Sequence, residues 1–214
     1  TYLAVFDGHG GAVRNPKDIW KGHPVLYLKE NLHLLLEKKF GEIDVISDDE
    51  ICSAITEVCV EVDQHFMDNK TSYGSCATIV LITDKKIFQA NIGDCRSVIF
   101  TGNTIVSETK DCTPNREFFR IVAAGGTVTD YGCPRVNGIL AVSRAFGDLE
   151  EKKIEGVYSP EGPVSVIPEI TITPRTSGQY IVMGSDGLYD GFEKDSQALV
   201  TAINCLLSSS ISLD

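Results

Sequence analysis

The sequence has 214 residues, 43% of them hydrophobic, with a net charge of −11 and an isoelectric point near 4.8. That length suits one large domain or two small ones, and the apolar content allows burial of about 70% of the surface an unfolded chain exposes. The acidity argues against a nucleic-acid partner, which needs a basic face. No apolar run approaches the ~20 residues of a membrane span, so no membrane partner is expected.

The first element is an apolar run, Tyr2 to Phe6, read as a buried strand that the glycine-rich stretch Phe6-Asp7-Gly8-His9-Gly10-Gly11 stops abruptly. Glycines there allow a sharp turn and close approach to a ligand. Ala12 to Gly22 reads as irregular and polar. Pro24 opens a helix, where its missing N–H costs nothing. Val25, Leu28, Leu32, Leu35 and Leu36 share its apolar face up to about Lys39, and Gly41 closes it. His33 reads as a packed or surface histidine rather than a ligand. Ser47 and Glu50 have capping-box spacing, which starts a second helix carrying Ile51, Ile55, Val58, Val62 and Phe66, with His65 facing solvent.

From Gly74 the period changes to that of strands. Cys76–Ile82, Ile87–Ile92, Ser97–Phe100 and Thr104–Val106 are short β-rich runs with tight connections, which predicts an antiparallel meander. Its Gly93-Asp94 turn is either an ordinary turn or a second strand-end carboxylate. Glu117–Ala124 reads as a short helix, residues 149–163 as a surface loop and Val164–Thr173 as a strand. Tyr180–Met183 is a buried strand ending in Gly184-Ser185-Asp186-Gly187, which repeats the opening device of an apolar strand with Asp-Gly at its tip. A last helix spans Asp195 to Leu207, with Leu199, Val200, Ile203, Leu206 and Leu207 apolar. Helices in a block, then strands, then mixed elements predict an α+β fold with antiparallel sheets.

Two strand-tip carboxylates, Asp7 and Asp186, suit a hard divalent cation, and His9 could transfer a proton beside it. Seven cysteines, odd in number and without a C-x-x-C pair, read as reduced thiols of a cytoplasmic or nuclear protein.

Six stretches occur in order along the chain: the opening motif, Gly74-Ser75-Cys76-Ala77, Asn91 to Arg96, Arg135 to Asp148, Pro168-Glu169, and Gly184 to Asp190. Together they resemble the metal-dependent Ser/Thr protein phosphatases of type 2C, across essentially the whole chain. The resemblance implies a four-layer sandwich, two antiparallel β-sheets with helices on both outer faces, formed by residues 1–214 as one catalytic domain. It implies hydrolysis of phosphoserine and phosphothreonine in phosphorylated proteins by a monomer that uses two Mg²⁺ or Mn²⁺ ions and a weaker third. On that mapping Asp7 bridges the metals, the Gly8 carbonyl binds one, Asp186 holds the other, and Asp94 joins Asp186 at the third position. His9 is the general acid, and Arg144 has a structural role.

The family's site also uses an acidic pair and a phosphate-binding arginine upstream of the opening motif, and a last aspartate near the family's C-terminal strand. Their lack here reads as a chain incomplete at both ends. Cys112 stands where the family usually has histidine, and Gly191 where it tends to have valine. The competing reading is a non-catalytic scaffold of the same fold that binds partner proteins, which would not need Asp7, His9 and Asp186. An aspartyl-nucleophile phosphatase would want a second Asp at position 9, where this chain has His.

Overall fold

The computed structural model describes residues 1–10, 23–42, 47–69, 71 and 73–210. The irregular stretch expected over Ala12 to Gly22 lies outside them. In chain order the elements are β1 (Tyr2–His9), α1 (Pro24–Gly41), α2 (Asp48–Asp68), β2 (Gly74–Ile82), β3 (Lys86–Ile92), β4 (Arg96–Thr101) and β5 (Thr104–Glu108). They continue with α3 (Phe118–Ala123), β6 (Val128–Asp130), β7 (Pro134–Val136), β8 (Phe146–Gly147), β9 (Lys153–Ile154), β10 (Val157–Tyr158), β11 (Glu169–Pro174), β12 (Gln179–Gly184), α4 (Asp186–Asp190) and α5 (Ser196–Ser210).

Two antiparallel sheets form the centre. One runs β1-β2-β3-β11, with β8 also paired to β2, and the other runs β12-β4-β5. Strand alternation then sets the layers. Ala77 and Ile79 of β2, Phe88, Ala90 and Ile92 of β3, and Tyr2, Ala4 and Phe6 of β1 pack beneath α1 and α2, against Leu28, Leu32, Ile55, Val58 and Val62. The opposite faces meet between the sheets, where Val80, Ile87 and Ile99 pack with Ile82, Ile181 and Met183. Beyond the second sheet, Val98 and Phe100 pack against Tyr189, Leu199 and Val200 of α4 and α5. The result is helices, sheet, sheet, helices: the α+β sandwich that the resemblance implied.

The seam between the sheets is partly polar. Thr78 donates to the Ser97 hydroxyl at 3.2 Å, the Gln89 side-chain amide donates to the Ser97 backbone carbonyl at 3.0 Å and hydroxyl at 2.9 Å, and the Ser107 hydroxyl donates to Gln89 Oε1 at 2.8 Å. Thr78, Gln89 and Ser97 are fully buried, so these bonds satisfy groups that would otherwise be costly to enclose.

The helix starts follow the sequence signals. Ser47 and Glu50 form both halves of the capping box on α2, and Pro24 opens α1. Several readings need correction. Strand β1 does not stop at Phe6 but pairs with β2 through His9, with Asp7 opposite Cys76 and His9 opposite Gly74. Val164 to Ile167 is not strand; β11 starts at Glu169. Val164 and Val166 flank Ser165 with the apolar–polar alternation of a strand, but they are buried in two different clusters rather than on one face, and the amides of Val164, Ser165 and Val166 bond to Glu151, Ser143 and Pro160 rather than to a sheet. The surface loop expected over residues 149–163 contains a 3₁₀ turn, Leu149–Lys152, and the β9–β10 hairpin. His65 is half-buried and stacks on Tyr27, with ring centroids 4.0 Å apart. Leu206 and Leu207 at the end of α5 are exposed, not core.

Candidate active site

Alternation along β1 puts Asp7 and His9 on one face and Gly8 on the other. Gly8 is there because α1 begins against it: a Cβ would lie 2.4 Å from His23 Cε1 and 2.7 Å from Val25 Cγ2. Asp7 and His9 therefore share one cleft of about 490 Å³ with Gly8, Asp94, Arg135 and Asp186. Asp94 reaches it from the tight turn between β3 and β4, where Gly93 has a positive φ of 94° and packs on Cys76. Asp186 reaches it from the second sheet, as the first residue of α4 immediately after β12. The structure thus brings Asp7, Gly8, His9, Asp94 and Asp186 together from both sheets.

The cleft concentrates negative charge. Burial and the neighbouring Asp186, which is close enough to share a hydrogen bond, hold the Asp7 carboxyl above the usual range, and Asp94 adds to this. Burial likewise raises Asp94, with Asp186 and Asp111 adding like charge. The donors are carboxylate and carbonyl oxygens, which fit a hard divalent cation, and such an ion would relieve the repulsion between Asp7 and Asp186. Among the described residues, no group of three or more His, Cys, Asp or Glu side chains is disposed to hold a metal ion. The residues present match such a cation in chemical type and would supply only part of a coordination shell.

His9 has a partner that the sequence reading did not assign. Its Nε2 lies 2.5 Å from Asp148 Oδ2, and the two side chains are 28% and 9% exposed. Burial pushes the imidazole down, but the Asp148 hydrogen bond and charge outweigh it, so His9 titrates above the usual histidine range. Asp148 was visible as the last residue of the Arg135-to-Asp148 stretch, but nothing in that stretch pointed to His9, 139 positions away.

Arg135 was also left without a role. Among the described residues it is the one Lys or Arg lining the cleft, and its Nη1 donates to the Ile139 carbonyl at 2.6 Å. Arg144 points elsewhere. It pairs with Glu117 and donates to the Ile167 carbonyl at 2.6 Å, tying α3 to the segment before β11. Four of the seven thiols are buried, and all seven cysteines are unpaired. No helix among the described residues is long and apolar enough to cross a membrane.

Comparison with known proteins agrees with this layout. A family model described as Protein phosphatase 2C matches residues 1–208. The chain is 38% identical over 196 residues to a probable protein phosphatase 2C 45 of Oryza sativa subsp. japonica, covering 88% of this chain and 60% of the relative. It is 32% identical over 223 residues to a probable protein phosphatase 2C 5 of Paramecium tetraurelia, covering 99% and 71%. A phosphatase structure from a pathogenic strain of Toxoplasma gondii superposes with a TM-score of 0.77 at 21% identity, over 98% of this chain and 75% of that one. Several other curated relatives are matched over only about half of their length, 48–56%. With a family model spanning nearly all of it and a relative matched over 71% of its length, this chain belongs to the protein phosphatase 2C family.

Proposed function

We propose that this protein hydrolyses phosphoserine and phosphothreonine in phosphorylated proteins, with two Mg²⁺ or Mn²⁺ ions and a weaker third. The observation that carries the reading is the convergence of Asp7, Asp94 and Asp186 from both sheets on one cleft beside His9. Bound divalent ions would neutralise the phosphoryl charge and supply an activated water at neutral pH. Asp7, the Gly8 carbonyl and Asp186 would hold the two ions, with Asp94 and Asp186 at the weaker third. Arg135 supplies a further positive charge for the phosphoryl oxygens at the cleft wall. His9 protonates the departing Ser or Thr oxygen, a poor leaving group as alkoxide, which contributes on the order of 10²–10⁴ in rate.

The test is phosphate release from a phosphothreonine peptide with Mn²⁺, with Mg²⁺ and with excess chelator. Turnover confined to the metal-containing reactions is expected. Undiminished turnover in chelator would sink the assignment.

A further inference from the structure

We propose that Asp148 is a positioning residue for His9, and that a buried ion pair behind it fixes where it stands; this rests on the phosphatase reading above. Asp148 belongs to neither β1 nor β2. It follows β8, which pairs with the start of β2 on the side opposite β1, Gly74 facing both Gly147 and His9. To meet His9, the Asp148 carboxylate must therefore pass over Gly74. The space exists only because that residue has no side chain: a Cβ there would lie 2.0 Å from Asp148 Oδ2 and 2.3 Å from His9 Nε2. Gly74 takes no positive φ, so its use here is the room it leaves rather than its backbone freedom.

The backbone around Asp148 is held in an unfavourable shape. Asp148 has φ 48° and Gly147 φ 71°, a left-handed turn that aspartate tolerates better than most non-glycine residues but still at some cost. Contacts that hold this turn come from Asp63 on α2. Its Oδ1 accepts from the Gly147 amide at 2.7 Å, and both its oxygens accept from Lys152 Nζ at 2.7 Å. Asp63 and Lys152 are completely buried. One ion pair thus clamps the residues on both sides of Asp148.

The consequence concerns the tautomer. A carboxylate can only accept, so His9 Nε2 carries a proton and donates it to Asp148. Nδ1 is then the nitrogen that exchanges protons. In the protonated ring, Nδ1–H gives its proton to the leaving oxygen as water bonds to phosphorus and the P–O bond breaks, its electron pair moving to that oxygen. The ring is left neutral, with Nε2–H still on Asp148.

The test compares the Mn²⁺-loaded parent protein with Asp148→Asn, His9→Ala and the double variant, on a phosphothreonine peptide and on p-nitrophenyl phosphate. Asp148→Asn should lower the ratio of peptide to aryl-ester turnover about tenfold or more, because the aryl leaving group needs no proton. Added to His9→Ala, it should lower that ratio no further, since both changes remove one function. Equal losses on the two substrates, or additive losses in the double variant, would overturn the proposal. A parent protein that hydrolyses neither substrate would defeat the phosphatase reading instead. In that event, ¹⁵N and ¹H resonances of the His9 ring in metal-free protein still decide the contact: they should shift in Asp148→Asn, and an unchanged ring would refute it.

Discussion

Replacing Lys152 by Met keeps a long unbranched side chain in place and removes only the ammonium. In the native protein that ammonium lies 2.7 Å from both oxygens of Asp63, with no exposure of either side chain. The variant leaves a buried carboxylate with two donors, the Gly147 amide and the Tyr158 hydroxyl, each at 2.7 Å. Removing one partner of a buried pair costs about 3–5 kcal/mol, chiefly because the other charge stays enclosed. For a domain of this size each kcal/mol moves the melting temperature by roughly 2–4 °C, so a fall of about 6–20 °C is expected. Changing Asp63 to Asn in the same protein keeps an acceptor for Gly147 and removes the stranded charge. That double variant should recover at least half of the loss, because the two residues are coupled. Circular dichroism during heating, with urea unfolding at fixed temperature, measures both quantities. A loss below about 1 kcal/mol for Lys152→Met, or a double variant as unstable as the sum of the singles, would refute the reasoning.

Gly74→Ala should preserve the fold but drive apart His9 and Asp148, lowering phosphopeptide turnover by about 10–10³-fold while the circular dichroism spectrum is retained. On the proposed function, Asp7→Asn should remove most turnover and weaken Mn²⁺ binding at least tenfold in calorimetry, since a carboxylate shared by two ions would support both. Burial pushes Glu117 up, but its bonds and charge contacts with Arg144, and Arg120 in addition, hold its pKa below the usual value. Its contribution to stability is therefore present above the unfolded-state pKa near ~4.3 and lost as pH falls through the lower folded value. Glu117→Gln should flatten the acid limb of stability below about pH 4.5, as read by urea midpoints.

The layers were legible because alternation and helical period are carried by short stretches: Ala77 and Ile79 against Val80, or Leu28 against Leu32, declare their faces within one element. The capping box at Ser47 and Glu50 is likewise local. The carboxylates Asp7 and Asp186 were legible because each comes at the end of an apolar run and is followed by a glycine. Asp63 was not, because on α2 it is one acid among several, and only its distant partners Lys152, Gly147 and Tyr158 distinguish it. The same holds for Asp148, whose contact with His9 depends on how β8 lies beside β2. The extension of β1 to His9 was missed because glycines read as a break, whereas Gly8 is paired strand facing the start of α1.

The hydrogen-bonded seam of Thr78, Gln89, Ser97 and Ser107 bears on how accurately the carboxylates can be spaced. Asp7 belongs to the first sheet, and Asp186 follows the last strand of the second. Purely aliphatic faces would hold the sheets together but would tolerate sliding of one over the other at little cost. A shift of one residue is about 3.3 Å, more than the 2–2.6 Å of a metal–oxygen bond. Sliding by that amount would break the bonds of Ser97 and Gln89 at once and leave buried polar atoms without partners. The seam acts as an alignment key, tying the gauge of the cleft to a buried polar interface on neighbouring strands.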